Sequence, residues 1–473
     1  GAMNKHKRFL SLVLLTFILL GIWFCPHSDL IDSKAWHLFA IFTTTIIGII
    51  VQPAPMGAIV IMGISLLLVT KTLTLDQALS GFHSPIAWLV FLSFSIAKGV
   101  IKTGLGERVA YFFVKILGKS PLGLSYGLVL TDFLLAPAIP SLTARAGGIL
   151  FPVVMGLSES FGSSVEKGTE KLLGSFLIKV AYQSSVITSA MFLTAMAGNP
   201  IISALASHSG VTLTWAIWAK AAILPGIISL ACMPFVLFKL FPPQITSCEE
   251  AVATAKTRLK EMGPLNQGER IILLIFSLLI SLWTFGDSIG ISATTTTFIG
   301  LSLLILTNIL DWQKDVLSNT TAWETFVWFG ALIMMASFLS AFGFIHFVGD
   351  SVIGSVQGLS WKIGFPILFL IYFYSHYLFA SNTAHIAAMY PIFLTVSISL
   401  GANPMFAALA LAFASNLFGG LTHYGSGPAP LYFGSHFVSV QEWWRSGFIL
   451  SIVNLTIWLG LGSWWWYCLG LIR

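Results

Sequence analysis

The chain is 473 residues long, 56% of them from the apolar set AVILMFWYC, with a mean hydropathy of +0.88. Charged residues make up only 9%, against about a quarter in soluble domains, which excludes a water-facing globular surface. The formal net charge of +6 does not mark a nucleic-acid binder, because Lys5, His6, Lys7 and Arg8 flank an apolar run, as basic residues do on the cytoplasmic side of a membrane.

That first run, Phe9 to Phe24, is long enough to span a bilayer. No small-residue cleavage site follows at Cys25-Pro26-His27, so it reads as a retained span rather than a signal peptide. Gly1-Ala2-Met3 looks like a remnant of tag removal. Spans are predicted near 9–25, 35–52, 56–74, 85–103, 173–199 and 213–240. In the second half they fall near 270–287, 290–310, 323–342, 405–424 and 447–470, about eleven transmembrane helices in all. The polar loop from Phe241 to Arg270 follows six crossings and carries Lys256, Arg258, Lys260 and Arg270, which places it and the N-terminus in the cytoplasm.

Two stretches, 121–157 and 361–400, are apolar but broken. Asp132, Pro137, Pro140, Arg145 and Gly147-Gly148 interrupt the first; Ser375-His376-Tyr377 and Ser381-Asn382-Thr383 interrupt the second. Backbone left unpaired at such breaks is not tolerated against lipid. Two half-helices meeting at a polar tip solve this, so both stretches are expected to be re-entrant hairpins.

The chain repeats itself. Trp88 to Gly104 (WLVFLSFSIAKGVIKTG) pairs with Trp328 to Gly343, and Ser141-Leu142-Thr143 pairs with Ser381-Asn382-Thr383 at an offset of 240 (381 − 141). Thr194 to Pro200 pairs with Thr422 to Pro428 at 228 (422 − 194), the loop Glu159 to Lys171 holding the extra residues. The stretch after Gly104 has Arg108, Lys115 and Lys119 on its polar face. Its counterpart after Gly343 has no Lys or Arg, so the two halves are expected to be inverted, as in secondary transporters.

Half-helix N-termini offer N–H groups and partial positive charge to an anion. Ser141, Leu142, Thr143 and Arg145 at one tip, and Ser381, Asn382, Thr383 and His385 at the other, are the candidate substrate ligands. Thr194, Thr422 and His423, in two stretches rich in helix breakers, join them. Neither motif contains Asp or Glu, which favours an anionic substrate. Other roles stay open: Ser and Thr can bond the preceding turn, Arg145 can bind carbonyls or headgroups, and the histidines can be interior. Trp464-Trp465-Trp466 reads as an interfacial anchor. The four cysteines lack metal-ligand spacing, Gly118-Lys119-Ser120 lacks the upstream glycine of a P-loop, and no acid accompanies the histidines. Neither a metal, a cofactor nor an enzyme activity is expected.

The paired hairpin motifs and the run LTHYGSGPAPLYFG, Leu421 to Gly434, resemble the divalent anion/sodium symporter superfamily. THYGSGPAP with SNTAH, and PSLTARAGG at Pro140 to Gly148, are similar to its exchanger branch of 2-oxoglutarate/malate translocators and citrate/succinate antiporters. The resemblance extends over nearly the whole chain. It implies a homodimer in a bacterial or organellar inner membrane, working as an elevator on di- or tricarboxylates. The scaffold would comprise 1–120 and 241–360, the transport domain 121–240 and 361–473. Sodium-coupled relatives carry Asn in the middle of both tips; here the first is Leu142, which has no oxygen to give. Sodium-independent exchange is the expectation, with positive charge at Arg145, His385 or His423 replacing the ion. A sodium-coupled symporter is the alternative.

Overall fold

The computed structural model describes residues 4–356 and 358–473; Gly1-Ala2-Met3 and Gln357 of the stretch after Gly343 lie outside them. The described chain is all helix and turn, with no strand. The first half begins with α1 (Lys5–Trp23), α2 (Ser33–Val51), α3 (Met56–Val69), α4 (Leu75–Leu79) and α5 (Pro85–Thr103). There follow α6 (Leu105–Leu117), α7 (Pro121–Leu135), α8 (Phe151–Ser160), α9 (Gly174–Ser189), α10 (Gly198–Ser207) and α11 (Trp215–Leu240). After α12 (Glu249–Met262), the second half runs α13 (Gln267–Phe285), α14 (Ala293–Leu306), α15 (Thr320–Ala341), α16 (Phe344–Ser355) and α17 (Trp361–Tyr374). It closes with α18 (Asn382–Ser399), α19 (Pro404–Leu417), α20 (Ala429–Gly434), α21 (Val440–Leu455) and α22 (Gly462–Cys468).

Contacts gather these helices into two compact units. One comprises Gly1–Phe91, Pro200–Leu213 and Thr320–Leu411; the other comprises Leu92–Asn199, Thr214–Asn319 and Ala412–Arg473. Among the described residues seven helices are long and apolar enough to cross a membrane, and the protein is an integral membrane protein. Four expected spans are shorter. The helices α3, α14 and α19 have 14 residues each, about 21 Å at 1.5 Å per residue. The predicted span 173–199 ends its helix at Ser189 because the backbone unwinds there.

The backbone carries the repeat more clearly than the side chains do. Left-handed residues recur 237 to 239 positions apart (290 − 52, 308 − 71, 343 − 104, 401 − 162): Gln52 with Gly290, Lys71 with Asn308, Gly104 with Gly343, and Gly162 with Gly401. Gly104 and Gly343 have φ of 80° and 81°, a region costly for any residue with a Cβ. They turn the chain from α5 into α6 and from α15 into α16. Helix caps recur as well. Ser120 and Ser360, 240 apart (360 − 120), cap α7 and α17 through their side-chain oxygens.

Within the second unit, α12 packs on α6. Arg108 of α6 bonds Glu269 (2.5 Å), and its Nη1 reaches the carbonyl of Gly263 at 2.7 Å. Sequence reading took this segment as loop. Pro225 and Pro234 lie inside α11, and a proline frees the carbonyl four residues before it. The freed Ala221 carbonyl accepts Trp466 Nε1 at 2.8 Å, and the neighbouring Lys220 carbonyl accepts Trp465 Nε1 at 2.6 Å. Trp466 is wholly buried and only Trp464 faces outward, at 57% exposure. This corrects the expected interfacial anchor: two of the three indoles close a proline-opened helix.

Candidate functional site

In the second unit, α7 stops at Leu135 ahead of Pro137 and Pro140, and the chain restarts in a π-helix, Thr143–Leu150, that runs on into α8. The tip between them is capped by Ser141, whose Oγ accepts the Ala144 N–H at 3.1 Å. The same bond recurs in the first unit, where Ser381 Oγ accepts the Ala384 N–H at 3.2 Å at the start of α18. Both Ser-x-Thr motifs therefore open a helix in the same way, each with free N–H groups at the helix start.

Arg145 is not free to meet a substrate. Its exposure is 0%. Nε donates to Asp132 Oδ1 at 2.7 Å, Nη1 to the carbonyls of Ile139 (2.6 Å) and Ala195 (2.8 Å), and Nη2 to Thr188 Oγ1 at 3.2 Å. Asp132 Oδ2 accepts Ser184 Oγ and Thr188 Oγ1, both at 2.9 Å. The guanidinium thus bolts tip, hairpin arm and unwound stretch together. This corrects the expectation of a positive charge offered to the substrate. Thr194 has a similar place: its hydroxyl donates to the Pro137 carbonyl at 2.6 Å and accepts Trp215 Nε1 at 3.1 Å.

The second unwound stretch, 418–428, meshes with the same tip. Tyr182 of α9 donates to the Gly419 carbonyl (2.6 Å) and bonds Ser426 Oγ (2.7 Å), Gln183 donates to the Gly420 carbonyl (3.1 Å), and Tyr432 donates to the Ala146 carbonyl (2.6 Å). A Cβ on Gly427 would stand 2.5 Å from Thr143 Oγ1, so only glycine lets the two come this close. Thr143 and Gly427 are both exposed. Beside them Thr422 is fully buried, and its hydroxyl has no hydrogen-bond partner among the described residues. His423 accepts Trp444 Nε1 on its Nδ1 at 3.0 Å.

In the first unit, Asn382 and Thr383 are buried at 8% exposure each, and Asn382 Oδ1 is a second buried atom with no partner among the described residues. His385 is buried with its Nδ1 2.9 Å from His376 Nδ1 and its Nε2 3.1 Å from Ser375 Oγ. Ser375 Oγ itself donates to the Tyr372 carbonyl at 2.8 Å. Both ring nitrogens of His385 are thus engaged inside the first unit. Fully buried and engaged at both ring nitrogens, His385 is not turned toward a substrate as expected. Three of the four predicted polar elements meet in the second unit, and the second tip belongs to the first. Sequence reading missed Tyr182, Tyr432 and Asp132 as organisers, although Asp132 stood out as a charge inside an apolar run.

Unwound helices with capped tips and unpaired polar atoms in an apolar all-helical chain define a membrane transporter. The sequence matches the description sodium:sulfate symporter transmembrane region over residues 6–472, and the chain belongs to that family of divalent anion/sodium symporters. It is 49% identical over 463 residues to dicarboxylate transporter 1, chloroplastic, of Spinacia oleracea, covering 97% of this chain and 81% of that one. It is 50% identical over 465 residues to the putative malate transporter YflS of Bacillus subtilis, covering 98% and 97%. Its fold is similar to that of the YdaH transporter of Alcanivorax borkumensis, with a TM-score of 0.55 at 11% identity over 99% of each chain.

Proposed function

We propose that the protein exchanges dicarboxylates of the 2-oxoglutarate and malate type across a membrane, without sodium. The observation that carries this reading is the seat of Arg145. Two backbone carbonyls, a hydroxyl and a carboxylate oxygen converge on its guanidinium. Oxygens of that kind, drawn from a hairpin tip and an unwound helix, are what a monovalent metal ion would gather. Here a side chain holds them permanently, and Leu142 offers no oxygen beside them. The relatives named as dicarboxylate and malate transporters support the substrate class.

A substrate carboxylate is received in the second unit by the N–H groups at the start of the Thr143–Leu150 helix, with Thr143 and Thr422 completing the hydrogen bonds; in the first unit the start of α18, with Ser381, Asn382 and Thr383, offers groups of the same kind. Buried polar atoms without partners cost about 1–3 kcal/mol each. Thr422 Oγ1, a hydroxyl able to donate to a carboxylate, is such an atom when no substrate is bound. A loaded site crosses more readily than an empty one, and that makes the exchange obligatory. The working assembly is a homodimer with the N-terminus in the cytoplasm and inverted halves. In it, 121–240 and 361–473 move as an elevator against a scaffold of 1–120 and 241–360.

The test is uptake of labelled 2-oxoglutarate into proteoliposomes preloaded with malate, succinate, citrate or nothing. Uptake confined to preloaded vesicles is the expected result, with malate the best internal partner. A preference for citrate and succinate would move the assignment to a citrate/succinate antiporter. Uptake into empty vesicles driven by an inward sodium gradient would establish the symporter instead.

A further inference from the structure

A cavity of about 770 Å³ opens in the second unit where α11 ends and α21 begins. A smaller one of about 230 Å³ continues it, sharing Lys171, Leu240, Phe241 and Glu442 in its wall. Six titratable groups face the pair: Glu170, Lys171, Lys179, His436, Glu442 and Arg445. Lys179 and Glu442 satisfy each other at 2.8 Å, and the Lys179 ammonium also stands 4.2 Å from the centre of the Phe241 ring. His436 sits in the turn before α21 in left-handed backbone, φ 63°.

Three charges are left over. Lys171 and Arg445 are exposed and have no carboxylate within ion-pair distance among the described residues. Glu170 Oε2 is buried with no hydrogen-bond partner among them. A buried carboxylate oxygen calls for a donor or a cation, while two unpaired basic side chains call for an anion. A simple dianion would suit Lys171 and Arg445 but would be repelled by Glu170, and a simple cation meets the opposite conflict. The ligand must carry both signs. Phe433, Phe437 and Val438 add apolar surface to the wall of the cavity. It lies at the ends of two long apolar helices, α11 and α21–α22, which sets it at the level of lipid headgroups.

We propose that this cavity binds the headgroup of an aminophospholipid. The phosphodiester lies between Lys171 and Arg445, the ammonium meets Glu170, and the first part of the acyl region runs along Phe433 and Phe437. The binding is independent of which solute is carried.

The experiment measures lipid retained by delipidated, purified protein after incubation with phosphatidylethanolamine or phosphatidylglycerol, read by native mass spectrometry. The wild-type protein retains phosphatidylethanolamine several-fold over phosphatidylglycerol. A basic residue near a lipid surface is worth about fivefold in binding, so K171Q/R445Q lowers retention of both lipids by about thirtyfold. E170Q erases the preference and leaves phosphatidylglycerol bound at least as well as before. Both variants keep the wild-type elution volume, since neither replaces a member of an ion pair; K171Q/R445Q gives up the place of Arg445 over the Phe241 ring, 5.9 Å from its centre. Equal retention of the two lipids by all three proteins overturns the proposal. So does displacement by an equimolar amount of soluble glycerophosphoethanolamine, which would assign the cavity to a free phosphate ester.

Discussion

Replacing Arg145 by Ala would leave the Asp132 carboxylate buried and unpaired, which costs about 3–5 kcal/mol. A marked fall in melting temperature is expected in detergent, together with loss of transport. D132N/R145M, which removes both charges, should recover part of that loss. Unchanged melting of R145A would show that the ion pair does not hold the hairpin. Thr422 predicts the opposite pattern. Its hydroxyl bonds nothing in the described structure, so T422V should melt at or above the wild-type temperature. The half-saturation concentration for substrate should rise about ten- to a hundredfold, the worth of one hydrogen bond to a charged group. A lowered melting point with unchanged affinity would remove Thr422 from the site. The Ser-x-Thr pairs were legible in the sequence because they repeat. The role of Arg145 was not, because its partner Asp132 lies 13 residues away across a break whose path no periodicity describes.

Helix ends and breaks followed their local chemistry. The serine, threonine, asparagine and aspartate caps fall where the apolar runs begin, and most predicted spans sit within a few residues of a helix. The failures came from tertiary demands. The segment Glu249–Met262 looks like a charged loop, yet Ala251, Val252 and Ala255 form one buried face of α12, a short pattern hidden among eight polar residues. The Trp464-Trp465-Trp466 cluster was misread because Pro225, which creates its acceptor, lies more than 200 residues earlier. Trp466→Phe should therefore destabilise the protein by about 1–3 kcal/mol, leaving the Ala221 carbonyl buried without a donor. Trp464→Phe, at an exposed position, should be near neutral. Chemical denaturation of the two variants compares them directly, and equal behaviour would contradict the assignment of Trp466 to the helix kink.

The duplicated order of helices, caps and left-handed turns was foreshadowed by three pairs of short strings, while the inverted sense of the halves is an expectation from the number of spans and from the charge difference. Cysteine labelling tests that sense. Cys25 and Cys468 are exposed at the ends of α1 and α22, and the expected topology puts both outside. Burial pushes the Cys248 thiol, next to α12, up to about 12. It stays protonated at pH 8, and only the thiolate attacks a maleimide. An impermeant maleimide added to right-side-out vesicles at pH 8 should label Cys25 and Cys468 and leave Cys248 untouched, even after solubilisation. Labelling of Cys25 from the cytoplasmic side only would reverse the topology.

In the proposed exchange, a guanidinium held where a metal ion would otherwise gather oxygens removes the need for sodium. The most direct measurement is the initial rate of malate/2-oxoglutarate exchange in proteoliposomes, with sodium on both sides replaced by choline at constant ionic strength. The rate should be unchanged, and it should also be indifferent to an imposed membrane potential, because one dianion leaves for each that enters. A rate that falls on sodium removal and returns saturably as sodium is restored would mean that Arg145 does not stand in for the ion.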